Sequence, residues 1–184
     1  EKTKWLVGPS GARCTGELKR KVAEDFINFF RDREVFGYTS DEWKRLERFK
    51  SQNEERIIDC PLVDAGKTKA DCFKALSHAG IELPAMYRMG YRNNNCIGCV
   101  KGQSGYWNKI RVDFPEVFER MSKVERKLNA AINKKYVNGK RIRVFLDELP
   151  RDAGRYEAEP SISCGLFCGA NQPELNLETN PKHA

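Results

Sequence analysis

The sequence predicts an α/β protein built on a mostly parallel sheet, and three observations predict it. Segments rich in β-branched and aromatic residues alternate with segments of helical periodicity, in the order strand, helix, strand, helix, strand, helix. The third strand segment, RIIDCPLVD, is apolar enough to be covered on both faces, as parallel strands are. The three helical segments open on Thr15, Thr39 and Thr68, residues of the type that caps helix N-termini. At 184 residues the chain is long enough for one domain with its own core. We divide it into a nucleotide-binding-like α/β core over 1–84, a cysteine-rich loop and helix region of the same domain over 85–172, and a polar tail over 173–184.

The first strand is expected at Trp5–Val7, with hardly any leader before it. A natural domain can begin this way, and so can a fragment whose front half is missing. Next comes GPSGARCTGELKRKVAEDFINFFRD, where Leu18, Val22, Phe26 and Phe29/Phe30 recur at helical spacing and predict an amphipathic helix with one face against a core. Thr15 is its expected N-cap, and Gly8 and Gly11 allow a tight approach to it. A strand, a Gly-containing loop and a helix N-terminus together can bind an anion. The loop is not a Walker sequence, since no Gly-Lys-Ser/Thr follows. Cys14 sits where a helix N-terminus could lower its pKa, or it is a small packing residue.

EVFGYT reads as a second strand, and TSDEWKRLERFKS as a helix with Thr39 and Glu42 at capping-box spacing. In the third strand, Pro61 places the segment near an edge or marks the strand end. KTKADCFKALSHAG is a helix that Thr68 opens and Gly80 stops, with His78 a capping or surface residue. Beyond Gly80, residues 81–113 hold many turn formers and read as a long ordered loop, of the kind that is often functional. Asp113 and Glu116 are spaced as a capping box for a helix buried through Val117, Phe118, Met121, Val124 and Leu128 and running to about Tyr136. The stretch from Arg141 onward returns to short, loop-rich structure.

Seven cysteines is a high and odd number for a chain with no recognisable export signal or apolar run near the roughly 20 residues of a membrane span. A cytoplasmic setting follows, where thiols serve as metal ligands or reactive groups more often than as disulfides. The pair Cys96-Ile97-Gly98-Cys99 is echoed by Cys164-Gly165-Leu166-Phe167-Cys168. Each pair has its own glycine and can aim two sulfurs at one point. Two such turns brought together make a four-thiolate site suited to Zn²⁺ or an iron–sulfur cluster, although the spacing fits no zinc-finger template. The alternative is four unrelated thiols. The net charge of +7 favours an anionic partner, a nucleotide, sulfate or nucleic acid. VKGQSGYWNKIR interleaves Tyr106 and Trp107 with Lys101, Lys109 and Arg111, which suits nucleic acid if the rings are exposed and loop packing if they are buried.

GIELPAMYRMGYRNNNCIGCVKGQSGYWNKIRVDFPEVFERM, VFLDELPRDAGR and SCGLFC together resemble the C-terminal half of the phosphoadenosine phosphosulfate reductase family, most closely its phage-encoded and bacterial members. GPSGARCTGELKR resembles the family segment in which a Cys-Thr pair opens a helix carrying a lysine, so the resemblance runs from Trp5 to about Cys168. It implies a partial Rossmann-like fold of the adenine nucleotide α-hydrolase type. It further implies an adenylyl nucleotide, bound for reduction of its activated sulfate or for adenylation before sulfur transfer. By the same resemblance Cys96, Cys99, Cys164 and Cys168 would hold a [4Fe–4S] cluster, with Zn²⁺ the alternative, while Cys14, Thr15 and Lys19 would lie near the nucleotide.

Two departures qualify what the family implies. The Ser-Gly-Gly-x-Asp-Ser loop that grips nucleotide phosphates in the family does not occur in this sequence, so catalysis by the chain alone is not implied. A partner chain, or a homodimer that completes the sheet, would then be expected. In cluster-free relatives a Glu-Cys-Gly-Leu/Ile-His motif carries the attacking thiol. Here Ser163 and Phe167 stand at the flanking positions, which leaves Cys164 as the catalytic thiol only if it is not a ligand. A non-catalytic, zinc-stabilised nucleic-acid- or nucleotide-binding protein is the alternative reading.

Overall fold

The computed structural model describes Leu6, residues 13–28 and residues 30–162. It is a mixed α/β structure with a small parallel sheet and helices. Strand β1 (Arg33–Val35) pairs in parallel with β2 (Ile57–Asp59), in the register Arg33↔Ile57 to Val35↔Asp59. Parallel pairing requires a crossover, and α3 (Trp43–Ser51) supplies it. The capping box of Thr39 and Glu42 starts that crossover through the 3-10 turn Ser40–Glu42. Helix α3 buries Leu46 and Phe49 in a small core with Tyr38 and Cys60, and each large apolar side chain so buried contributes about 1.5–3 kcal/mol. The two strands are further joined by Glu34 and Arg56, whose side chains are buried and meet in a two-pronged ion pair of 2.6 and 2.7 Å.

Pro61 ends the strand region and opens the short helix α4 (Pro61–Asp64) at its first turn, where the missing N–H costs nothing. Helix α5 (Lys69–His78) is capped by Thr68, whose hydroxyl accepts from the Asp71 amide, and stops at Gly80 with φ of +65°. His78 is exposed in its last turn. The expectations hold for the Thr68 cap and the Gly80 stop, whereas the expected strand over 56–64 is corrected: only Ile57–Asp59 is strand, Ile57 is exposed, and Pro61 turns the remainder into α4.

The N-terminal helical region departs from expectation. It consists of α1 (Arg13–Thr15), a π-helical stretch Gly16–Arg20 and α2 (Lys21–Glu24). Thr15 is not an N-cap: its backbone is helical, it makes no capping bond, and it is buried. Arg13 is already helical, so the threonine lies inside the helical region and not at its start. Leu18, at 73% exposure, and Phe26, at 90%, together with Val22 and Phe30, face outward and not into a core. Periodicity identifies an apolar face but carries no information about what covers it. The expected strand at Trp5–Val7 lies outside the described residues except for Leu6, which packs against the second core.

That second core follows α5. Helix α6 (Ala85–Arg88) leads into residues 89–103, then come α7 (Ser104–Asp113), α8 (Pro115–Leu128) and a hairpin of β3 (Asn133–Val137) and β4 (Lys140–Val144). The expected single loop over 81–113 is therefore corrected: its last third is α7, which buries Tyr106, Trp107 and Ile110 beside Phe118, Leu146 and Leu149. Turn formers dominated that stretch, while the 106, 107, 110, 114 apolar spacing was the helical signal. Asp113 and Glu116 form no capping box. Asp113 closes α7 and accepts from the Tyr91 hydroxyl at 2.7 Å, and α8 opens with Pro115 at its first position. Helix α8 ends at Asn129, in the left-handed region, and Tyr136 lies in a strand. Asn138-Gly139, both at positive φ, makes the hairpin turn that this dipeptide favours.

Candidate metal centre

The Cys96–Cys99 turn is built from below by one side chain. Tyr106, on the first turn of α7, accepts a hydrogen bond from the Cys99 amide at 2.9 Å and donates to the Cys96 carbonyl at 3.2 Å. Its hydroxyl thus ties together both ends of the turn. Burial pushes the Tyr106 phenol up to about 12, so it stays a neutral donor at ordinary pH. Gly98 sits at φ +73°, and a Cβ there would meet Val117 Cγ1 at 2.6 Å, so the turn can approach α8 only with glycine. The Cys99 carbonyl accepts from the Gly102 amide at 2.9 Å, which closes the turn. Cys96 is exposed and Cys99 half-buried.

The asparagines before the turn have a defined task. The Asn93 amide donates to the Ser161 hydroxyl at 2.6 Å, and the Asn95 amide donates to the Ile162 carbonyl at 2.9 Å. Between them and Tyr91, Arg92 takes its backbone N–H to the Tyr156 hydroxyl at 2.8 Å and its guanidinium to the Tyr156 carbonyl at 2.9 Å and the Glu159 carbonyl. The guanidinium also lies over the Tyr156 ring, 5.2 Å from its centre. Residues 92–95 therefore hold residues 156–162 in a fixed register.

The same segment is fastened along α7. Asn108 donates to the carbonyls of Pro150 and Ala153, both at 2.8 Å, and Arg111 donates to those of Leu146 and Leu149 at 3.0 and 2.8 Å. Glu159 accepts from the Gly105 and Tyr106 amides at 2.5 and 3.0 Å, placing its carboxylate on the positive end of α7. Gly105 is required there, because a Cβ would lie 2.5 Å from the Tyr156 backbone nitrogen. Lys69, at the start of α5, reaches the Arg92 carbonyl at 2.5 Å and so ties the βαβ unit to the asparagine loop.

The consequence for the cysteines is geometric. Ile162 is bonded to Asn95, next in sequence to Cys96, and Cys164 follows Ile162 by two residues, at most about 7 Å of extended chain. Cys164 and Cys168 themselves lie outside the described residues. Among the described residues no group of three or more His, Cys, Asp or Glu side chains converges. The described donors that suit a thiophilic group are Cys96 and Cys99, a braced pair with one exposed thiol.

Of the other expected site residues, Cys14 and Lys19 are exposed and Thr15 is buried. Tyr106 and Trp107 are also buried, at 2% and 0% exposure, and cannot stack on bases. Lys109 pairs with Asp113 at 2.9 Å, so the basic–aromatic stretch is internal packing and not a nucleic-acid surface. Sequence reading missed Arg92, Asn108 and Glu159 and offered Arg111 only as a cation for nucleic acid; these polar side chains bond mostly to backbone groups distant in sequence. Among the described residues no helix is long and apolar enough to cross a membrane. Compared with protein-family models, curated proteins and solved structures, the chain shows no significant match.

Proposed function

We propose that this chain is a phosphoadenosine phosphosulfate reductase-like protein of sulfur metabolism, in which Cys96, Cys99, Cys164 and Cys168 together hold an iron–sulfur cluster, with Zn²⁺ the alternative occupant. The observation that supports this reading is the bond from the Asn95 side-chain amide to the Ile162 carbonyl, which holds residue 162, two positions before Cys164 in the sequence, beside the residue that precedes Cys96. A bound cluster would supply charge and redox capacity beside an adenylyl nucleotide, whereas Zn²⁺ would brace the loops alone. The chain's own contribution is positioning. Tyr106 holds the first turn closed, Arg92 and the asparagines hold the second segment, and Glu159 anchors that segment to α7.

The parallel β1–α3–β2 crossover is compatible with an adenine nucleotide α-hydrolase-like core, and the exposed Cys14 and Lys19 are accessible to a nucleotide phosphate. Among the described residues the parallel sheet has two strands, a size that does not stand alone, which supports a partner chain or a second copy completing it. Turnover is assigned to that completed assembly in the cytoplasm, as sulfonucleotide reduction or adenylation-dependent sulfur transfer.

The test is metal, iron and sulfide analysis with a visible spectrum of protein purified without oxygen. Iron and sulfide that disappear in both Cys96→Ser and Cys164→Ser support the cluster. One zinc lost in the same variants makes the site structural and favours the binding-protein reading. Protein without any metal overturns the four-cysteine site and leaves Cys164 as a lone redox thiol.

A further inference from the structure

The chain's positive charge is concentrated in one place. Residues 133–144 hold five cations, Lys134, Lys135, Lys140, Arg141 and Arg143, and no acid, in a protein whose whole net charge is +7. All five are exposed, and none forms an ion pair with a described residue. The hairpin register arranges them. Lys134 is opposite Arg143 and Tyr136 is opposite Arg141, and strand alternation puts these four side chains on one face. Like charges directly opposite one another destabilise a hairpin, and an anion lying across them relieves the repulsion. Tyr136, among them, is 66% exposed.

We infer that the β3–β4 hairpin is a binding surface for single-stranded nucleic acid, with Lys134, Arg141 and Arg143 meeting phosphates and Tyr136 stacking on a base. An exposed ring between cations is the combination that a strand with free base faces can use, whereas a duplex keeps its base faces stacked. An anionic membrane fits less well. On the other face Lys135 and Lys140 alternate across the strands with Ile142 and Val137, so no continuous apolar surface is left to enter a bilayer interface. The surface is separate from the buried Tyr106 and Trp107, and the inference stands independently of the cysteine site.

The experiment is fluorescence anisotropy of the full chain with a labelled oligothymidylate and with a duplex of the same length, across a salt series. Three phosphate-facing cations predict a log–log salt slope near about −2 for the single strand, flattened when Lys134, Arg141 and Arg143 are replaced by Ala. Tyr136→Ala is expected to weaken single-strand binding about fivefold to a hundredfold with little change in slope, and Tyr136→Phe to retain it. Melting curves check that each variant stays folded: Tyr136→Ala should change the midpoint little, and loss of the opposed cations removes their repulsion together with the bond from Arg143 to the Ala131 carbonyl. Absence of binding overturns the inference, as do equal affinity for the duplex, indifference to Tyr136→Ala, or binding confined to vesicles containing phosphatidylserine.

Discussion

Replacing Tyr106 by Phe tests whether the cysteine turn is held from below. The ring remains, so its packing against Tyr91, Trp107 and Tyr156, at 5.7–6.3 Å between ring centres, is kept. What disappears is the hydroxyl that accepts from the Cys99 amide and donates to the Cys96 carbonyl. Cys96 is exposed and its carbonyl can turn to water, so that bond adds little. The Cys99 amide is half-buried and loses its partner, a cost of about 1–3 kcal/mol. At 1.4 kcal/mol per factor of ten, amide exchange at Cys99 should accelerate by about fivefold to a hundredfold, while amides in α3 and α5 keep their rates. If the site holds metal, loss of this support should weaken its retention by about ten- to a hundredfold. The assay is residue-resolved hydrogen exchange by NMR, paired with chelator competition. A Cys99 rate within about twofold of the parent's in a folded variant would refute the bracing role.

Three further outcomes are expected. Glu34→Ala leaves the Arg56 guanidinium buried without its carboxylate and should cost about 3–5 kcal/mol in urea unfolding, whereas Arg33→Ala, which breaks a mostly exposed pair with Asp59, should cost under about 1 kcal/mol. Gly98→Ala must adopt φ +73° and displace Val117 from 2.6 Å, so it should destabilise more than Gly66→Ala, which meets only the left-handed backbone and no neighbour within 4 Å. Burial raises the phenols of Tyr106 (to about 12), Tyr91 and Tyr38. The folded state thus holds those protons more tightly than the unfolded chain, whose tyrosines ionise near about 10. Their contribution to stability is fully present below about pH 10 and is lost as pH rises through about 12; absorbance titration at 295 nm showing all six tyrosines ionising together near 10 in the folded protein would contradict this.

Much of the first half was legible because its signals are local. A capping threonine and its acidic partner lie three residues apart, and Thr39, Thr68 and Gly80 do what such residues do anywhere. Thr15 shows the limit of that logic, since a threonine inside a helix and one at its start look alike without neighbours. Helix α7 was obscured by glycines and asparagines whose purpose is tertiary. Gly102 and Gly105 make room for Tyr106 and for the Tyr156 backbone, and no local pattern distinguishes room-making from turn-making. The hairpin, by contrast, had a readable signal in Asn138-Gly139 between two strand-like runs.

For the cysteines, the sequence alone determined that two close pairs exist, that each has its glycine, and that the asparagine-rich stretch beside the first pair was the place to look. Chemistry-bearing residue types and their spacings are written along the chain. Only the tertiary structure decided that the asparagines grip residues 161 and 162, that Tyr106 serves the cysteine turn and not a base, and that the apolar face of the first helix is left uncovered. Those outcomes depend on which backbone amides and carbonyls, sixty-odd residues away, remain to be satisfied after the elements pack, a sum over the whole fold to which no short window of sequence has access.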